Sequence, residues 1–189
     1  MKNIIRIVSI ILISVVLILI LNPYLKSLEE QKNYDFTLQS YEKDIKKDDF
    51  KGKVLAIYFG YATCPDVCPT SLSSLAFALN SFDEEKSKNF VGIFVSVDPK
   101  RDSLENLKEY SSYFHKSFIG ATSTKAVIDD MVKRYGSFYE IVELKNSSID
   151  YSVAHTSYIY IFDKDGKFIE KIDHFSDPNK IKEVLQNLL

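Results

Sequence analysis

Val54-Leu55-Ala56-Ile57-Tyr58-Phe59-Gly60 reads as a continuous apolar, partly β-branched strand buried on both faces and ended by glycine. It runs straight into Tyr61-Ala62-Thr63-Cys64-Pro65-Asp66-Val67-Cys68-Pro69. Pro69 suits a first helical turn, and Leu72, Leu75, Ala76, Leu79 and Phe82 then recur at helical spacing. A strand feeding a helix through a short loop is the opening of an α/β unit, and the downstream chain continues it. Phe90–Val97 is a second buried strand, and Ser103 caps a helix with Leu104, Leu107, Tyr110 and Phe114 inward. The next helix turns Val127, Ile128, Met131, Val132 and Tyr135 inward and is closed by Gly136. Ser157–Phe162 and Lys167–Ile172 form a hairpin around Lys164-Asp165-Gly166, and Asp177-Pro178 opens a last helix with Ile181, Val184, Leu185 and Leu188 inward. Asp35–Ser40 and Tyr139–Leu144 add strands, the second before a long loop from Lys145 to Ala154. The series predicts an α/β fold over residues 35–189, a thioredoxin-like mixed sheet flanked by helices.

Upstream, Ile7–Leu21 is apolar except for Ser9 and Ser14. With Arg6 snorkelling, this run approaches the thickness of a bilayer's hydrocarbon core. Residues 1–25 are therefore expected to be an N-terminal transmembrane helix, and 26–34 a polar tether. Lys2 and Arg6 precede the run while Glu29 and Glu30 follow it, so the positive-inside bias leaves the N-terminus cytoplasmic. The expectation is a single-pass inner-membrane protein whose main domain faces the periplasm or cell exterior. A cleaved signal peptide has the same layout, but Asn22-Pro23-Tyr24 offers no small-residue cleavage site.

The 189 residues are 46% apolar and carry 24 basic against 26 acidic side chains, ample for a core and without the basic excess of a nucleic-acid binder. Beyond residue 28 the balance is 21 basic to 26 acidic, because Lys2, Arg6 and Lys26 are left behind. Two cysteines exclude both a disulfide-stapled miniature fold and a four-thiolate zinc site within one chain.

Those cysteines, Cys64 and Cys68, sit at the carboxyl edge of the sheet, where ligands gather in α/β folds. A helix N-terminus there favours thiolate over thiol and makes both sulfurs reactive. Pro65 and Pro69 stiffen the loop, and a three-residue gap lets both side chains point the same way, so a disulfide is also possible. Ala154-His155-Thr156 stands where a dithiol oxidoreductase would carry proline before the facing strand. That strand runs antiparallel to the first, which brings His155 opposite the sulfurs. Two thiolates and an imidazole are a soft, low-coordinate set that suits Cu(I), tolerates Cu(II) with a further weak ligand, and leaves structural zinc one ligand short. His115 reads as a helix-end cap or surface residue, and His174 as a surface residue with a minor prospect of metal contact. Asp98-Pro99-Lys100-Arg101-Asp102 reads equally as a turn before the Ser103 cap or as a polar wall near the cysteine loop.

Phe59-Gly60-Tyr61 through Thr63-Cys64-Pro65-Asp66-Val67-Cys68-Pro69, Ser96–Asp102 and Asp150–Thr156 come in an order that resembles the signatures of the Sco/SenC copper-chaperone family. The resemblance implies a membrane-anchored thioredoxin-like domain binding copper through Cys64, Cys68 and His155. It also implies a role in assembling the dinuclear copper site of cytochrome c oxidase, by delivering copper to the copper-bearing subunit or by reducing its cysteines. Partners would then include a copper donor protein and a thiol reductant. Family members often carry an acidic residue before the histidine; this chain has Ala154. The competing reading is a thiol-disulfide oxidoreductase acting on exported proteins, with Cys64 and Cys68 as its redox-active pair. A peroxidase of glutathione-peroxidase type shares the fold, but this chain has no tryptophan, a residue that family uses at its active site.

Overall fold

The computed structural model describes residues 2–144, 150–173 and 177–189. The chain divides into two compact units, Met1–Tyr34 and Asp35–Leu189.

The first unit is one helix, α1 (Lys2–Asn33), with Pro23 inside it. The segment expected to be a tether is therefore helical, because Leu, Lys, Glu and Gln are good helix formers whether or not apolar residues recur periodically. The large apolar side chains from Ile10 to Leu21 are 46–69% exposed. Among the described residues, no helix is long and apolar enough to cross a membrane.

The second unit runs β1 (Thr37–Ser40), β2 (Asp44–Lys46), a short 3-10 turn, β3 (Val54–Gly60), α2 (Val67–Asn80), α3 (Glu84–Ser87), β4 (Phe90–Ser96), α4 (Leu104–Phe114), β5 (Phe118–Thr122), α5 (Lys125–Arg134), β6 (Tyr139–Glu143), β7 (Tyr151–His155), β8 (Tyr158–Phe162), β9 (Phe168–Asp173) and α6 (Pro178–Gln186). Seven strands form one sheet in the order β2-β1-β5-β4-β3-β8-β9, and β6 and β7 form a separate ribbon. The centre is parallel, β3 on β4 on β5, and β8 joins β3 antiparallel. Every residue of β3 and β4 is buried, as central strands covered on both faces require. This is the expected mixed sheet flanked by helices.

Three expectations need correction. The β5 strand went unread between two helices because Gly120 breaks a short apolar run; the glycine is there for packing, since a Cβ on it would lie 2.1 Å from the Leu107 carbonyl oxygen of α4. The loop expected from Lys145 to Ala154 ends early, for Tyr151–His155 is strand β7, paired to β6 with Tyr139 opposite His155. Val127, expected inside, is 39% exposed, so the buried face of α5 is narrower than its apolar pattern. Local capping follows the sequence: Ser103 accepts from the Asn106 N–H at 3.1 Å, Asp177 from the Asn179 N–H at 2.9 Å, and Gly136 and Gly166 take φ of +60° and +77°.

Candidate metal centre

The carboxyl end of β3 delivers the cysteine loop. Tyr61 accepts from the Cys64 N–H at 3.1 Å, and α2 starts only at Val67, so Cys64 lies on the loop and Cys68 in the first helical turn. The sulfurs meet through the loop's fold, not through one continuous helical face. Cys68 is fully buried and Cys64 half-buried, and both are free thiols. Gly60 makes the room: a Cβ there would stand 2.8 Å from both Cys68 Sγ and a Phe94 ring carbon.

His155 closes the site. Its Nε2 lies 3.3 Å from Cys68 Sγ, and the ligand atoms of Cys64, Cys68 and His155 all fall within 4.8 Å of one another. The strand carrying His155 is β7 of the ribbon, not the start of hairpin strand β8, so the spatial expectation holds by a different route. Tyr58 and Tyr61 pack edgewise on the imidazole with centroids at 6.2 and 5.8 Å. Nδ1 stands 3.0 Å from the Thr156 carbonyl oxygen. A carbonyl can only accept, so Nδ1 carries the proton and Nε2 keeps its lone pair for a metal. A backbone carbonyl thus orients the ring in a chain with Ala154 at the usual acidic position.

The two thiols differ in acidity. Cys64 is lowered to about 3, first by its neighbour Cys68, with burial opposing. Cys68 is driven upward by its neighbour Cys64 and by its burial. Burial, with Cys68 next to it, also pushes the Tyr58 phenol up. The backbone N–H groups of Asp66 and Cys68 at the start of α2 add to the acidity of Cys64, as the helix N-terminus predicts.

The polar-wall reading of Asp98–Asp102 holds, with Asp102 bound to the cysteine loop itself. Asp102, only 3% exposed, accepts from the Ala62 N–H at 2.9 Å and from Ser96 Oγ at 2.6 Å. It grips the cysteine loop two residues before Cys64. The Asp98–Asp102 stretch was legible as a wall, but a carboxylate 40 residues away could not be assigned to that backbone amide from spacing. His115 caps the end of α4, its Nδ1 accepting from the Ser117 N–H at 3.1 Å, and it takes no part in the site. His174 lies outside the described residues.

Two sulfurs and a lone-pair imidazole nitrogen in reach of one another can hold a soft, low-coordinate metal ion, and the same sulfurs can form a disulfide. Comparison with known proteins bears on which. The chain is 34% identical over 154 residues to a SCO2-like protein of Rickettsia conorii, spanning 81% of this chain and 75% of that protein. The copper-bound crystal structure of Arabidopsis thaliana ScoI superposes with a TM-score of 0.73 at 30% identity, covering 80% of this chain and 94% of that one. Copper-bound ScoI of Bradyrhizobium japonicum superposes at 0.70 with 33% identity, covering 82% and 98%. The SCO1/SenC pattern matches residues 26–189, the whole of the second unit and the end of the first, and the chain belongs to that family.

Proposed function

We propose that this protein binds one copper ion through Cys64, Cys68 and His155 and passes it on during assembly of the dinuclear copper site of cytochrome c oxidase. The observation that carries this is the convergence of two sulfurs and a lone-pair nitrogen within 4.8 Å. Copper here is cargo. Cys64 is half-buried, which leaves a side from which an acceptor's own ligands can approach, and Cys68 anchors the ion from below. The copper held by two solved relatives supports the choice of metal.

His155→Ala in the full chain is expected to retain Cu(I) on its two thiolates but to lose much of its affinity and the nitrogen signature of bound Cu(II), read by chelator competition and electron paramagnetic resonance. Unchanged Cu(II) spectra and affinity would remove His155 from the ligand set.

A second reading shares the site and is favoured by the unequal thiols. The Cys64 thiolate attacks a disulfide of the target and forms a mixed disulfide, releasing one target thiolate. Cys68, giving up its proton, then attacks Cys64 and releases the second, so two electrons pass to the target and the Cys64–Cys68 disulfide remains. A thiol reductant must restore the pair. Turnover of a model disulfide by metal-free protein, indifferent to His155, would favour this reading; stoichiometric copper release to an acceptor without such turnover favours the first.

We also propose that α1 attaches the protein to the inner membrane, with the second unit on the periplasmic or outer side. Its support is the apolar surface of Ile10–Leu21, which water tolerates poorly. Ile7–Leu21 spans roughly 22 Å as a helix, short of a bilayer core of about 30 Å, so Arg6 must snorkel. The full chain is expected in the membrane fraction after high-salt and carbonate washes, and Leu17→Asp is expected to shift it toward the soluble fraction. Release of the unaltered chain by salt alone would defeat the assignment.

A further inference from the structure

Among the described residues, His155 stands on a ribbon that shares no ladder with the seven-stranded sheet. The sulfurs stand at the β3–α2 junction. Besides the rings of Tyr58 and Tyr61 that pack on His155, the turn between β4 and α4 touches both. Toward the sulfurs it reaches through Asp102 to Ala62, and Ser96 Oγ, which donates to Asp102, accepts from the Asp98 N–H at 3.0 Å. Toward the ribbon it reaches through Asp98 and Arg101. Tyr151 donates its hydroxyl to Asp98 Oδ1 at 3.0 Å, Arg101 Nε pairs with Asp98 Oδ2, and Arg101 Nη1 donates to the Tyr151 carbonyl at 2.8 Å. The guanidinium also stacks on the Tyr151 ring at 3.8 Å and lies 5.6 Å from the ring of Tyr61.

Both carboxylates are 3% exposed, and a buried charge persists only when paired and hydrogen-bonded. The planar fork of arginine serves a carboxylate on one edge and a carbonyl on the other, which a lysine ammonium on a flexible stem does not. Tyr151, Val153 and His155 share one face of β7 by the two-residue period of a strand. Fixing Tyr151 therefore fixes the height and facing of the imidazole.

We infer that Arg101, through Asp98 and Tyr151, is a positioning residue of the metal site, clamping the histidine ribbon to the turn that also grips the cysteine loop. The inference rests on the copper-site reading above and assigns a function to a side chain that is not among the ligands.

The test compares Arg101→Met, Arg101→Lys, His155→Ala and the Arg101→Met/His155→Ala double variant in the full chain. Copper(II) chloride is the probe, and the metal-free protein is followed by proton NMR of the His155 ring, whose signals are identified by their loss in His155→Ala. Arg101→Met is expected to lose the nitrogen hyperfine signature and to weaken copper binding about 10–100-fold, the usual cost of removing an outer support. The double variant should bind no more weakly than His155→Ala alone, and Arg101→Lys should not restore the signature. In the metal-free chain, the His155 ring protons should lose the shifts imposed by the Tyr58 and Tyr61 rings. A lower melting temperature with unchanged ring shifts and unchanged hyperfine signature overturns the inference, as do additive losses in the double variant. If the unaltered chain takes up no copper, the functional reading fails by itself, and the metal-free ring shifts still decide Arg101.

Discussion

Cys68→Ser in the full chain is expected to abolish stoichiometric Cu(I) uptake, leaving essentially no copper per chain after dialysis against a chelator that the unaltered protein withstands. Serine offers a hard, neutral oxygen where Cu(I) seeks soft thiolate sulfur. Cys68 is fully buried, so no solvent ligand can take its place, and the space beside it is already as tight as Gly60 and Phe94 allow. One thiolate and one imidazole then remain, the sulfur on a half-buried loop position. Cys64→Ser should likewise fail to hold Cu(I), by removing the exposed half of the pair. Copper at the unaltered stoichiometry in either variant, measured by elemental analysis, would refute the thiolate assignment.

Gly120→Ala is expected to give the largest loss of stability of any glycine-to-alanine change in the second unit. An added Cβ would meet the Leu107 carbonyl oxygen at 2.1 Å and the carbonyl carbon at 2.4 Å. These are backbone atoms of α4, which cannot rotate away as a side-chain tip can, and Leu107 is itself fully buried. Overpacking commonly costs about 1–3 kcal/mol and sometimes more. A cost near 3 kcal/mol in a domain of this size corresponds to a melting temperature lower by roughly 6–12 °C. Gly60→Ala meets a sulfur and a ring edge at 2.8 Å, so its damage should fall on copper binding more than on melting. A Gly120→Ala chain that melts with the unaltered protein would show that α4 and β5 can separate at no cost.

The β3 strand, the α2, α4, α5 and α6 helices and the β8–β9 hairpin were legible because each carries its own period, cap or turn residue. β5 and β2 were not. Gly120 serves a helix that is distant in sequence, and Asp44–Lys46 is a three-residue partner with too little pattern to read. The histidine ribbon was half legible: β6 showed as a strand, while β7 gained its strand identity only from pairing with it.

Residue identity and local spacing by themselves determined which donor atoms this protein possesses, that two of them ride on a strand-to-helix loop, and that the sheet is mixed. Such features depend on chemistry within a few residues along the chain. Only the tertiary structure decided that a separate ribbon brings Nε2 to a sulfur 87 residues away, that Cys64 is the more acidic of the two thiols, and that Asp102 and Arg101 hold the two halves of the site. Those outcomes follow from strand order, burial and the closeness of the groups at the site, which exist only once distant segments have packed together.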